Sequence, residues 1–83
     1  MLPRMPVTAY VLIQTEVAKA ASVAAVVRKI PGIVSAEAVT GVYDVIVQAE
    51  ADDLDELGKT VASKIGLIEG ITRTLTCTVV HLD

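Results

Sequence analysis

The sequence predicts an α+β fold with one four-stranded antiparallel sheet and two helices. Three observations support this fold class. Apolar, β-prone runs alternate with two segments of helical periodicity, glycines separate the segments, and the chain contains an internal repeat. At 83 residues the chain is long enough for one small domain. The predicted order is strand, helix, strand, strand, helix, strand.

The first strand is predicted over residues 9–14, which are apolar on both faces of a strand. Such a run is typical of a central strand that is covered on both sides. A helix is predicted to start at Thr15 or Glu16 and to end at Ile30, because apolar residues recur there at helical spacing. The Pro31-Gly32 pair stops this helix.

The second and third strands are predicted over residues 33–40 and 42–49, joined by a tight turn at Gly41. Ser35 and Glu37 make one face of the second strand polar, which favours an edge position. The third strand is apolar on both faces and is therefore expected to be central.

The second helix is predicted to start at Asp52 or Asp53, where an aspartate can cap free amides, and to reach Ile65. An acidic cluster here is best explained as this cap, not as a metal site. The last strand is predicted over residues 71–82, with threonine at every second position. Its threonine face is expected to pack against another sheet or to remain half-solvated.

The internal repeat determines the topology. Residues 11–16 match residues 45–50, and in each copy a helix ending in Lys-Ile follows, then a glycine and an Ile-headed strand. Two β-α-β units give βαββαβ, the ferredoxin-like arrangement. Both helices then cover one face of the sheet, and the other face is apolar at its centre. With 53% hydrophobic residues in so short a chain, we expect that bare face to form a dimer.

The composition argues against several function classes. The net charge is −3 and the seven basic residues are scattered, which disfavours a nucleic-acid surface. Cys77 is the only cysteine and is expected to be a buried structural thiol. His81 is the only histidine and is expected to lie at a solvated strand end. No catalytic motif, metal site or cofactor motif is recognised, so the chain is predicted not to be an enzyme.

No apolar run approaches the length of a membrane span, and the opening residues 1–6 are too short and too proline-rich for a signal peptide. The sequence leaves open whether Met1 or Met5 is the natural start. A cytoplasmic protein is therefore predicted.

The segment between the second and third strands is the candidate ligand site. Read as structure alone, it is a hairpin turn in which a tyrosine packs and an aspartate faces solvent. Read as a site, its backbone amides, one phenol and one carboxylate could bind a small zwitterion. The residues nominated are Thr40, Gly41, Val42, Tyr43 and Asp44.

These motifs closely resemble the RAM domain, the ligand-binding half of the Lrp/AsnC (feast/famine) transcriptional regulators. The resemblance runs from Ala9 to Leu82, and the Thr-Gly-x-Tyr-Asp segment is its most specific element, supported by Pro-Gly-Ile before the second strand. No helix-turn-helix region precedes the first strand, so residues 1–83 look like a stand-alone RAM domain.

The resemblance implies a function. RAM domains pair sheet to sheet into dimers, and the dimers assemble into rings of eight or ten chains that bind amino acids in clefts between dimers. The hairpin residues carry over to this site, and Thr74 and Thr76 match positions that line the same cleft. A stand-alone form is expected to sense an amino acid or to co-assemble with full-length Lrp/AsnC regulators, without direct nucleic-acid or membrane contact.

Two alternatives remain open at this point. An ACT domain is another βαββαβ amino-acid sensor, but it usually has a glycine after the first strand, where this chain has Thr15-Glu16-Val17. A small dimeric ferredoxin-like monooxygenase or isomerase generally needs a pocket His, Asn or Trp, which is not evident here.

Overall fold

The protein is described by a computed structural model over residues 6–82, so the choice between Met1 and Met5 as the start lies outside the described residues. The four-stranded sheet has the order β2-β3-β1-β4, with antiparallel neighbours throughout. The sheet confirms the ferredoxin-like prediction, with the first and third strands central. The elements are β1 (Val7–Thr15), α1 (Ala20–Val27), β2 (Ile33–Ala38), β3 (Val45–Ala51), α2 (Leu54–Thr60), a π-helical turn (Val61–Ile65) and β4 (Ile71–Thr78).

Both helices pack on one face of the sheet, where they form the hydrophobic core. Alternate residues of the two central strands point into it, as period-two alternation requires, and Val23, Val27 and Ile65 cover them. The fully buried strand residues are Ala9, Val11, Ile13, Val45, Val47 and Ala49. Arg28 fastens the end of α1 to the sheet, because its Nε donates to the carbonyl of Ala36 at 2.8 Å.

The first helix is shorter than predicted, and its expected start at Thr15 or Glu16 is wrong. Thr15 still belongs to β1, and the amide of Glu16 donates to the carbonyl of Gly70 at 2.8 Å. Ala18 then adopts a φ of +66°, which a right-handed helix cannot contain. The sheet therefore holds the chain through Glu16, and α1 begins only at Ala20 and ends at Val27, before Ile30.

The hairpin between β2 and β3 also differs from the prediction. β2 ends at Ala38 and β3 begins at Val45, so the predicted tight turn at Gly41 is wrong. The connection is an irregular six-residue segment, named here loop 39–44. The β-prone Val42 lies inside this loop because the loop ends are fixed by hydrogen bonds to the sheet.

The start of α2 agrees with the prediction, and the end of β4 does not. Asp53 caps α2 as predicted, since its carboxylate accepts from the amide of Glu56 at 2.8 Å. β4 ends at Thr78, not at Leu82, although the amide of Val79 still donates to the carbonyl of Thr8 at 2.8 Å. His81 is exposed, as expected. Within residues 6–82, neither helix is long and apolar enough to cross a membrane.

Gly32 fixes the approach of the chain to β2, and replacing it should destabilise the fold. Its φ is +92°, and an added Cβ would lie 2.9 Å from the carbonyl oxygen of Glu50. We expect Gly32→Ala to lower the free energy of unfolding by about 1–3 kcal/mol, because both the backbone angle and the contact become strained. Denaturant unfolding measures this loss.

Gly58→Ala is the matched control for that substitution. Gly58 lies in α2, and an added Cβ there meets nothing within 4 Å. The same change should therefore be neutral or stabilising, by up to about 1 kcal/mol, since alanine is the better helix former. Equal effects at the two glycines would contradict the assignment of strain to Gly32.

Candidate ligand-binding loop and open sheet face

Loop 39–44 is held closed at its base. The amide of Val39 donates to the carbonyl of Asp44, and the amide of Asp44 donates to the carbonyl of Ile13, both at 2.8 Å. The loop thus lies at the end of the sheet where β1 finishes. Gly41 has a φ of +154°, a conformation that side-chain-bearing residues rarely adopt, so glycine suits this position.

Asp44, the last residue of the loop, connects it to β1. Its half-buried carboxylate accepts a hydrogen bond from the amide of Thr15, with 2.8 Å between the nitrogen and Oδ2. Within the described residues the second oxygen, Oδ1, has no hydrogen-bond partner. Oδ2 therefore holds the end of β1, and Oδ1 remains without a hydrogen-bond partner within the described residues.

The loop also presents unpaired backbone donors. In the part of the chain that the structure describes, the amides of residues 40–43 donate to no acceptor. Thr40, Gly41 and Val42 are exposed or partly exposed, and Tyr43 is half-buried. Successive free N–H groups in a loop form a favourable site for an anionic group such as a carboxylate. The loop therefore places four amides without intrachain acceptors beside a carboxylate.

Gln14 is a loop-contacting residue that the sequence interpretation missed. Its Nε2 donates to the carbonyl of Val42 at 3.1 Å and so braces the tip of the loop from β1. On the neighbouring strand β4, Arg73 is directly opposite Gln14 in the register. Period-two alternation gives Gln14 and Arg73 the same face of the sheet. The contact between Gln14 and Val42 is evident only in the folded chain, since the two residues are 28 positions apart in sequence.

Thr74 and Thr76 lie on the helix side of the sheet. They pair with Ile13 and Val11, which are buried under the helices. Thr76 is exposed and lines a groove of about 240 Å³ beside α2, so the threonine face lies on the helix side and is half-solvated, which was one of the two expectations. β1 lies between β4 and β3, so at least two strand spacings, about 10 Å, separate each threonine from loop 39–44, and Thr76 is farther away than Thr74. A single chain does not bring the two sets together.

The face of the sheet away from the helices is named here the open sheet face. At its centre Ile46, Leu12 and Leu75 form a registered row across three strands. Ile46 is 37% exposed and Leu75 is 43% exposed, as is the neighbouring Tyr10. An uncovered apolar centre of this kind is typical of a protein interface.

The prediction that Cys77 is a buried thiol is wrong, because Cys77 is exposed in the single chain. Its registered partner on β1 is Tyr10. Its alternation with threonine places it on the open sheet face, because the threonines occupy the helix side. Within residues 6–82, no group of three or more His, Cys, Asp and Glu side chains is arranged to hold a metal ion.

Comparison with known proteins gives the family. Residues 8–81 match the family model described as the Lrp/AsnC ligand binding domain. An uncharacterised HTH-type transcriptional regulator of Pyrococcus furiosus is 35% identical over 54 residues, which cover 65% of this chain and 36% of that protein. The matched segment therefore corresponds to about a third of that regulator.

Solved structures share the fold. The crystal structure of a Thermus thermophilus protein superposes with a TM-score of 0.86 at 27% identity, covering 93% of this chain and 96% of that one. A transcriptional regulator of Neisseria meningitidis, crystallised with L-Met, gives a TM-score of 0.82 at 24% identity, covering 98% of this chain and 56% of that one. This second likeness concerns the fold alone. With a match over nearly its whole length, the chain belongs to the Lrp/AsnC ligand-binding domain family.

Proposed function

We propose that the chain is an amino-acid-sensing and assembly module, with loop 39–44 as one wall of the ligand site. The observation that carries the proposal is that one short loop contains both unbonded amides, which favour an anion, and a carboxylate oxygen, which favours a cation. The free amides of residues 40–43 suit the carboxylate of an amino acid. The unused oxygen of Asp44 suits its ammonium group.

The position of the loop favours a site shared between chains. Loop 39–44 projects from one end of the sheet, and its tip at Gly41 and Val42 is exposed. Thr74 and Thr76, the other nominated residues, are separated from it by β1. A ligand that contacts both sets therefore bridges two copies, with the loop from one chain and the threonines from another. Ligand binding and assembly are then thermodynamically coupled.

Assembly begins at the open sheet face. Two copies that stack these faces would bury the row of Ile46, Leu12 and Leu75 in a symmetric dimer. The exposed Cys77 and Tyr10 would be covered as well. Dimers are proposed to associate further through their loop ends, into rings of eight or ten chains, and full-length Lrp/AsnC regulators are proposed as partners in mixed assemblies.

The family match supports a proposal for the cellular role. A ligand-binding domain of transcription regulators acts through assembly and not through catalysis, so a non-enzymatic, cytoplasmic regulator is proposed. The family match, residues 8–81, replaces the ACT-domain and monooxygenase alternatives. Operation as a separate domain, without its own helix-turn-helix region, stays a prediction.

A thermal-shift screen of the twenty standard amino acids tests the ligand proposal. A ligand that binds only the native state raises the midpoint temperature of unfolding. At a hundredfold excess over Kd it adds about 2.7 kcal/mol to the free energy of unfolding. We expect one or a few amino acids to stabilise the protein. The response should disappear in Asp44→Asn, which removes the charge but retains an acceptor for the amide of Thr15.

Asp55→Asn is the control in this screen. Asp55 is exposed in the first turn of α2, remote from loop 39–44, and loses the same charge. It should respond to ligand as the parent protein does. A flat screen with intact assembly would contradict amino-acid sensing, and an undiminished response in Asp44→Asn would remove Asp44 from the site.

A further inference from the structure

We infer that the outer edge of β4 is a docking site for an extended peptide segment of a partner protein. The segment that fits carries an aliphatic side chain and a basic residue two positions before it. β4 is the outermost strand on its side of the sheet. The groove of about 240 Å³ beside it, named here the edge groove, lies on the helix side. Since β1 lies between β4 and β3, this surface is separate from loop 39–44.

The backbone of β4 presents unpaired groups along its outer edge. The amide of Val79 donates to the carbonyl of Thr8, in the same register that joins the rest of β4 to β1. Alternate residues of an antiparallel strand bond to the same neighbour, so Thr74, Thr76 and Thr78 direct their amides and carbonyls outward. Within residues 6–82 no strand lies beyond β4 to pair with them. Such a row is complementary to the backbone of an extended chain.

The opposite edge of the sheet, at β2, is blocked by the chain itself. The bond from the amide of Val39 to the carbonyl of Asp44 sets the register in which Ala36 directs its backbone away from β3. The guanidinium of Arg28 occupies this outward carbonyl, with 2.8 Å between Nε and the oxygen. Charged side chains commonly protect strand edges in this way. Among the described residues no side chain does the same for β4, so β4 is the edge that is open to a strand.

The edge groove provides a place for one side chain of the bound segment. Thr76 and Thr78 form its wall on β4. The opposite wall belongs to α2 and the π-helical turn and carries no charge; its residues are Leu54, Leu57, Gly58, Val61 and Ala62. Leu54 is 63% exposed, so apolar surface is uncovered here. The groove is smaller than the about 300–1,000 Å³ of small-molecule sites, which suits a single aliphatic side chain.

The edge and the groove together determine how the segment lies. Residues directly opposite each other on neighbouring strands have their side chains on the same face of the sheet. A residue whose backbone bonds to Thr76 therefore has its side chain on the helix side, next to the edge groove. Backbone pairing supplies the affinity, and the groove selects the aliphatic residue.

The charge beside the groove selects the basic residue. In an antiparallel arrangement the N-terminal part of the segment lies beside Thr78, near the start of α2. Asp55 is exposed there and forms no ion pair within the described residues. Positions three apart on an α-helix are about 60° apart around the axis, which places Asp55 beside Gly58 at the rim of the groove. A basic side chain opposite Thr78 would lie close to this carboxylate.

Amide hydrogen exchange of the whole chain, read by NMR, tests whether the edge is open. In the free protein the amides of Thr74, Thr76 and Thr78 should exchange at least tenfold faster than those of Leu75 and Cys77, which bond to β1. A saturating concentration of the peptide acetyl-Thr-Lys-Thr-Leu-Thr-Thr-amide should slow the threonine amides at least tenfold. No slowing would overturn the inference. Threonine amides that are already protected in the free protein would also overturn it, since a second copy would then occupy the edge.

Two N-methylated forms of this peptide test strand pairing, with the dissociation constant measured by fluorescence anisotropy. A methyl group on the leucine nitrogen removes a donor that faces β4 and should weaken binding at least tenfold. A methyl group on the nitrogen of the next threonine faces away from β4 and should change the dissociation constant less than twofold. Equal effects at the two positions would overturn the proposed pairing.

Gly58→Leu tests the edge groove. A Cβ added at Gly58 meets nothing within 4 Å, so the fold should be retained while the new side chain fills the groove. The peptide should then bind at least tenfold more weakly. Ala25→Leu is the matched control, because Ala25 is exposed on α1 and outside the groove, and it should bind the peptide normally. Undiminished binding by Gly58→Leu would overturn the assignment of the groove.

Asp55→Lys tests the basic position. It should weaken binding of the lysine-containing peptide about threefold, as expected for one exposed charge pair. A peptide with glutamate in place of the lysine should bind the variant better than it binds the parent protein. An equal preference for the lysine peptide in both proteins would overturn the role of Asp55.

Discussion

Ile46→Glu should convert assemblies of this protein into monomers. Ile46 lies on a central strand of the open sheet face, and its registered neighbour Leu12 is also apolar. In a symmetric dimer the substitution buries two unpaired carboxylates, each at a cost of several kcal/mol. A loss of about 4 kcal/mol weakens association roughly a thousandfold. Native mass spectrometry at micromolar protein should show dimers or even-numbered rings for the parent and monomers for the variant.

Val26→Glu is the matched control for this experiment. Val26 is 47% exposed, against 37% for Ile46, and it lies on α1, on the opposite side of the molecule. This variant should keep the assembly of the parent protein. A parent protein that is monomeric under these conditions would refute the interface, as would an Ile46→Glu variant that still forms dimers.

Asp44→Ala should destabilise the protein even when no ligand is present. The substitution removes the acceptor of the half-buried Thr15 amide at the end of β1. Leaving such a donor unpaired costs about 1–3 kcal/mol. Denaturant unfolding at one fixed protein concentration should record this loss, because assembly makes the midpoint depend on concentration.

Asp44→Asn distinguishes the structural role of this residue from its proposed binding role. Its side-chain carbonyl can still accept from the amide of Thr15, so the loss of stability should be well below that of Asp44→Ala. Equal losses in the two variants would show that the charge, and not the hydrogen bond, stabilises the loop. An unchanged stability in Asp44→Ala would contradict the bond described here.

The fold was predictable from sequence because the residue pattern of each strand indicates its place in the sheet. Runs that are apolar on both faces identified β1 and β3 as central, and the observed strand order confirms this. The repeat predicted the topology, since each β-α-β copy needs the same connections. The aspartate cap of α2 was predictable as well, because capping depends on local chemistry that a few neighbouring residues determine.

The boundaries at the loop end were not predictable, because long-range hydrogen bonds determine them. Val42 has strong β propensity, yet it lies in a loop whose base is tied to Ile13. Likewise the chain after Thr15 follows helical periodicity, but the bond from Glu16 to Gly70 delays α1. Tertiary contacts override local propensity in both places.

The candidate site was predictable only in part for the same reason. The Thr-Gly-x-Tyr-Asp motif located loop 39–44, but a motif does not reveal which atoms are already engaged. That Asp44 uses one oxygen for Thr15, and that Gln14 braces Val42, became visible only in the folded chain. The pairing of Thr76 with Val11 likewise follows from strand register, which the sequence does not state.

The hydrogen bonds around Asp44 join three loops in series. Loop 39–44 is bonded through Asp44 to Thr15, and the next residue, Glu16, is bonded to Gly70 immediately before β4. A displacement of the first loop must move or break this chain of contacts. Two hydrogen bonds, at the consecutive residues Thr15 and Glu16, therefore link loop 39–44 to the residue that precedes the edge strand β4.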